Sequence, residues 1–260
     1  MYAATLAVVA DWIRALELPA TLIQPRSADA HETPLTVRMV QQALRSRRVI
    51  AIGGGLEGYL HALQRALQNR VPISALIDHL HPQPDNLHIW LNLGYARQCC
   101  AQILRWAEAD GFVGVAQRQA WARTQLQFRQ LRMRLHEARG VLQGKAYLAV
   151  HDAYLPLTQQ LGMRSLGSLQ PDHERPPSLQ RLRTVIEQGR RTGVVMVLAS
   201  EPSGVGATAA RLLQVPLVIA DTLETPDPEY DYFTRLLRLI DALQRAGTSV
   251  KARSLGSSQF

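Results

Sequence analysis

The sequence is short of cysteine, lysine and aromatic residues, and each shortage narrows what the protein can be. Cys99 and Cys100 are its only two cysteines. They are adjacent within Tyr95–Ala109, which reads as a helix, where neighbouring side chains point about 100° apart. A disulfide between them would strain the backbone, and with no CxxC pair there is no Cys-based zinc framework. Two small buried residues are the expectation. Lysine occurs only at Lys145 and Lys251, so the net charge of +8 is carried almost entirely by arginine. A basic chain raises nucleic acid as a partner. Aromatic residues make up only 6% of the chain, and the arginines are scattered instead of gathered with aromatic stacking residues into one patch, so no nucleic-acid partner is expected.

Long apolar runs are missing too. No stretch reaches the length of about 18 residues that a membrane-spanning helix needs. The N-terminal run Met1–Ala10 is apolar but lacks the positive segment of a signal peptide, and is expected to be a first strand entering a helix. Three catalytic signatures are absent from the sequence: GxSxG, HExxH and the Walker A loop. What remains is an ordinary globular composition, 47% hydrophobic and 19% charged over 260 residues, long enough for one large domain or two lobes.

Apolar strands alternate with amphipathic helices along the chain. Thr5–Val9, Ala20–Gln24, Val49–Ile52 and Ile73–Ile77 read as strands, separated by helices over Thr36–Arg45 and Tyr59–Gln68. Such alternation predicts a parallel sheet covered by helices. Val115 to Arg139 then runs without Gly or Pro and is rich in good helix formers. It predicts one helix about 37 Å long, with Trp121, Phe128, Leu131 and Leu135 on a shared face. After Gly140 the pattern restarts. Strands are expected at Ala146–Val150, Val194–Ala199 and Leu217–Ala220, with helices at Leu179–Arg190 and Tyr230–Ala246. A proline-rich turn is expected at Pro171–Pro177, and a loose tail from Gly247. The expected fold is α/β: two lobes with parallel sheets, residues 1–114 and 141–260, joined by a long helix over residues 115–140.

Three features carry chemistry. The first is His79-Leu-His-Pro-Gln-Pro-Asp-Asn-Leu-His88-Ile-Trp-Leu91, a histidine-rich turn running into an apolar segment. Imidazole is a common metal ligand, although a solvated turn with one core histidine also fits. The second is Gly53-Gly-Gly-Leu-Glu-Gly58, which follows a strand and satisfies GxGxxG, with Asp78 at the end of the next strand. That is the dinucleotide fingerprint by pattern, and a nucleotide-binding α/β enzyme is the alternative reading. About 48 residues with their own βα pattern precede it, which that fingerprint normally does not have. The third is a shared topological position. His31, His151 and Asp221 each stand just after a strand, and His88 ends the histidine-rich turn. Ligands of open α/β sheets bind outside the carboxyl ends of strands.

These segments together resemble the zinc/manganese solute-binding proteins of metal ABC transporters. His88-Ile-Trp-Leu91 is similar to that family's His-Ile-Trp-Leu segment, and Asp29-Ala-His31-Glu-Thr-Pro34 to its Asp-Pro-His segment. Gly53–Leu60 resembles its Gly-Leu-Gly-Leu-Glu-Pro-Trp-Leu turn and Val150-His151-Asp-Ala-Tyr154 its Phe-His-Asp-Ala-Tyr. Ser200-Glu-Pro202 resembles its Glu-Pro turn and Ile219-Ala-Asp221-Thr-Leu223 its Leu-Asp-Pro-Leu. The order is the family's. The chain departs from it at Asn92-Leu93 for Asp-Pro, at Gly58 for Pro, at Ala30 for the Pro before the first ligand, and at Thr222 for the Pro after Asp221.

The resemblance implies a binding protein with no chemical turnover. One divalent metal would sit in the cleft between the lobes, on His31, His88, His151 and Asp221. It also implies a periplasmic location and a monomer that meets the membrane only through its ABC permease. Zinc is expected over manganese, because imidazole at the third ligand position, His151, suits zinc and carboxylate oxygen suits manganese. His79 and His81 could collect zinc for His88 or be solvated bystanders.

Overall fold

The computed structural model describes residues 1–25, 33–170 and 178–256, with Asp152 and residues 250–256 as backbone only. The chain divides into two compact units. One comprises Met1–Gln130 with Leu223–Thr234, the other Leu131–Thr222 with Arg235–Phe260.

The first unit is built from β1 (Tyr2–Ala4), α1 (Ala7–Ala15), β2 (Ala20–Leu22), α2 (Val37–Leu44), β3 (Val49–Ala51), α3 (Leu60–Leu67), β4 (Ile73–Ala75) and α4 (Leu93–Ala109). Its strands are all parallel, in the order β2-β1-β3-β4. The central strands β1 and β3 have every side chain buried, as a parallel sheet covered on both faces requires. Met39 and Ala43 of α2 and Leu63 and Leu67 of α3 pack against Ala3 and Val49. Arg48 Nε and Nη2 donate to the two carboxylate oxygens of Asp110 at 3.1 and 2.9 Å, and Tyr2 Oη donates to one of them at 3.1 Å. This clamp joins the start of β3 to the end of α4.

The second unit repeats the plan. β5 (Ala146–Ala149), α6 (Leu155–Gln160), β6 (Arg164–Ser168), α7 (Leu179–Thr192), β7 (Val194–Ala199), α8 (Gly204–Leu213) and β8 (Leu217–Ile219) follow α5 (Val115–Leu142), and α9 (Tyr232–Gly256) closes the chain. The sheet is again parallel, in the order β6-β5-β7-β8. In both sheets the chain order reverses beside the first strand, the crevice at which α/β proteins bind ligands. Leu148, Leu169, Ile186 and Val197 are among its core.

Three expectations change. The run Thr5–Val9 is not a strand: β1 ends at Ala4 and Val8 and Val9 lie buried in α1. A short apolar run has the same composition in a buried strand and a buried helix, and periodicity cannot separate them. Gly140 does not end the long helix, which continues to Leu142. The segment from Gly247 extends α9 to Gly256 instead of forming a loose tail. The proline-rich segment Pro171–Pro177 lies outside the described residues. Cys99 and Cys100 are fully buried in α4, as expected, and burial pushes both thiols well above their ordinary values. Among the described residues no helix is long and apolar enough to cross a membrane.

Candidate metal site

His88 immediately precedes a single 3-10 turn, Ile89–Leu91, whose three side chains are fully buried. The turn is held from two directions. Tyr232 Oη donates to the Trp90 carbonyl at 2.7 Å, and Asn92 caps α4 by accepting from the Gly94 and Tyr95 amides at 2.9 and 3.2 Å. Asparagine thus does the capping that an aspartate would do at this position. His88 is buried, and its imidazole meets the Trp90 ring edge-on at 5.1 Å. Asn86 Oδ1 accepts from the His88 backbone amide at 2.8 Å and lies 2.9 Å from Nδ1. The amide contact identifies that Asn86 atom as an acceptor, so Nδ1 carries a proton and donates to it. The other nitrogen, Nε2, faces Glu224 Oε1 at 3.4 Å.

Glu224 escaped the sequence reading. It lies three residues past Asp221, and Leu223 between them is fully buried with φ +63. A leucine held in the left-handed region costs about 1–3 kcal/mol and persists only where its surroundings enforce it. The Glu224 carbonyl accepts from the Ala7 amide at 3.4 Å, which anchors the loop to the start of α1.

In the second unit, Val150 directly follows β5. Its amide donates to the Leu198 carbonyl at 2.8 Å, and its carbonyl accepts from Ser168 Oγ at 2.7 Å and from the Gln170 amide at 3.0 Å. The half-buried His151 follows directly. A 3-10 turn, Asp152–Tyr154, comes next, and Tyr154 Oη donates to the Ala220 carbonyl at 2.8 Å. The loop bearing His151 is therefore tied to the residue before Asp221, and both loops leave carboxyl ends of strands. Asp221 receives Arg235 through both oxygens, with Nε at 2.6 Å and Nη2 at 2.8 Å, and the guanidinium is almost fully buried.

Of the four expected ligands, then, His88 belongs to the first unit, and His151 and Asp221 to the second. His31 lies outside the described residues. Among the described residues no three His, Cys, Asp or Glu side chains gather as a metal-binding group. The histidine-rich turn contributes little beyond His88: His79 and His81 are exposed, and the His79 ring packs against Trp106 at 5.2 Å.

The glycine-rich turn has a structural explanation that displaces the nucleotide reading. Glu57 is buried, and its carboxylate accepts from the Ile52 and Gly53 amides at 2.8 and 2.9 Å and from Thr5 Oγ1 at 2.6 Å. Burial raises its pKa, and these three donors oppose that rise. The amides that would cradle a phosphate are thus engaged by the protein's own acid. Gly53 has φ +85, and a Cβ there would fall 2.6 Å from Ala75 Cβ; a Cβ at Gly54 would fall 2.9 Å from Ile77 Cδ1. Conformation and close packing of β4 account for the glycines.

The two parallel α/β units place His151 and Asp221 just past strand ends of the second and His88 beside a 3-10 turn of the first, residue types suited to a divalent cation. Over residues 3–246 the chain matches the family described as zinc-uptake complex component A, periplasmic, and it belongs to that family. Its members are metal-binding solute-binding components of ABC transporters, which act outside the cytoplasm with a permease and are not enzymes. No curated protein sequence matches the chain. Among solved structures it is similar to FpvC from Pseudomonas aeruginosa in complex with Mn2+, with TM-score 0.82 and 17% identity over 96% of this chain and 98% of that one. The periplasmic zinc-binding protein TroA from Treponema pallidum gives TM-score 0.82 and 14% identity over 95% and 98%. A ZnuA structure gives 0.81 and 15% over 95% and 98%. At these identities the likeness is one of fold.

Proposed function

We propose that this chain captures zinc in the periplasm, as a monomer, and hands it to an ABC permease, using His31, His88, His151 and Asp221 as ligands. The observation that carries the reading is the preparation of His88. Its Nδ1–H is committed to Asn86, which fixes the tautomer, leaves Nε2 as the ligating atom and raises its basicity, the arrangement that metal-bound histidines use. Three imidazoles and a carboxylate suit tetrahedral Zn²⁺. Nitrogen-rich sites favour zinc over manganese by the Irving–Williams order, and manganese prefers oxygen. FpvC was solved with Mn2+, and Asp221 keeps manganese as the second reading.

The test is competition against a chelator of known affinity, with Zn²⁺ and Mn²⁺ titrated into metal-free protein. Wild type is expected to bind one zinc, and manganese far more weakly. His88→Ala and His151→Ala are each expected to weaken zinc sharply, whereas His61→Ala and His136→Ala, at exposed positions, leave it unchanged. Equal effects from all four substitutions would sink the ligand assignment. Manganese displacing equimolar zinc would overturn the metal choice.

A further inference from the structure

His88 and Glu224 meet within the first unit, Nε2 to Oε1, 3.4 Å apart. Their side chains are 10% and 13% exposed, so neither is bathed in solvent. Asn86 takes the Nδ1 proton, so Nε2 is the ring nitrogen turned toward the Glu224 carboxylate. The 3.4 Å between Nε2 and Oε1 equals the separation of two ligand atoms bound to one tetrahedral zinc, which is about 3.3–3.5 Å for Zn–N near 2.0–2.1 Å and Zn–O near 2.0–2.2 Å.

The loop is built to hold the acid there. Leu223, buried with φ +63, turns the chain immediately before Glu224, and the Ala7 amide anchors the Glu224 carbonyl. Asp221, in contrast, has both oxygens engaged by the buried Arg235 guanidinium. We infer that Glu224 is a carboxylate ligand of the metal that His88 holds. The inference rests on the zinc-capture reading and adds a donor to it, one carrying negative charge that Arg235 does not offset.

The test uses the full chain with Glu224→Gln, Glu224→Asp and His88→Ala, each checked for folding by circular dichroism. Zinc affinity is read by chelator competition. Co²⁺ is then substituted, because its visible absorption reports the atoms bound to the metal. Glu224→Gln is expected to bind zinc at least fivefold more weakly and to change the cobalt spectrum. Glu224→Asp, which keeps the carboxylate on a shorter stem, is expected to fall between the two. An affinity loss below fivefold, or an unchanged cobalt spectrum, with His88→Ala still abolishing binding, would overturn the role of Glu224 and leave zinc capture standing. Failure of wild type to bind zinc would remove both. Should Glu224→Gln fail to fold, the cobalt spectrum of Glu224→Asp decides: a spectrum identical to wild type overturns the inference, and a shifted one supports it.

Discussion

Replacing Asn86 with alanine isolates the preparation of His88 from its ligation. The substitution leaves the imidazole in place but removes the one oxygen that accepts both its backbone amide at 2.8 Å and its Nδ1–H at 2.9 Å. Without that acceptor the ring can rotate and the proton can move to Nε2, the atom that must bind metal. Loss of such an outer hydrogen bond typically lowers metal affinity 10- to 100-fold, or about 1.4–2.7 kcal/mol. Two lost hydrogen bonds near a buried turn also predict a stability cost of about 1–2 kcal/mol. Asn86→Asp keeps an acceptor at the same place and is expected to retain most of the affinity. Chelator-competition titration reads the affinity, and thermal unfolding of the metal-free protein reads the stability separately. Zinc affinity within twofold of wild type in Asn86→Ala, beside a large loss in His88→Ala, would refute the tautomer argument.

Three further outcomes follow from the same geometry. Imidazole ligates only when neutral, with a reference value near ~6.5, so zinc affinity is expected to fall steadily below about pH 6; titrations showing constant affinity from pH 7.5 to 5 would exclude a three-histidine site. Hydrogen bonds from Arg48 hold the Asp110 carboxyl below its ordinary range. Its stabilisation is therefore fully present above the unfolded value of about 3.9 and is lost as pH falls through the lower folded one. Asp110→Asn should cost about 2 kcal/mol at pH 7 and flatten the acid limb of the unfolding curve, which urea melts at several pH values would show. Gly53→Ala puts a Cβ 2.6 Å from Ala75 Cβ at φ +85 and should destabilise the fold by about 2–4 kcal/mol, with no effect on dinucleotide affinity, which is expected to be nil.

The α/β layering was legible because parallel strands buried on both faces read as uninterrupted apolar runs, as at Val49–Ala51 and Val194–Val197. The edge strand Arg164–Ser168 escaped because its Arg, Ser and Gly carry the polar, broken pattern of an edge. The short helix Leu155–Gln160 was hidden by Pro156, which its first turn tolerates. His151 and Asp221 were legible as candidates because each follows an apolar strand, and His88 because it heads the apolar Ile89–Leu91 run. Glu224 was not, since nothing local sets a glutamate past Asp221 apart from a solvated one. Its partner His88 lies far away in the sequence, and only the fold brings Oε1 to Nε2. The Arg235 fork on Asp221 was equally invisible, because it depends on where α9 starts relative to β8. The glycine turn misleads by pattern alone, since close packing on Ala75 and phosphate binding both demand glycine.

Crystals of the zinc-loaded protein, with diffraction recorded on both sides of the zinc absorption edge, test the central claim most directly. The account predicts one anomalous peak per chain, within bonding distance of His88 Nε2 and of the imidazoles of His31 and His151. A zinc peak on His79 or His81 with none at His88 would contradict it.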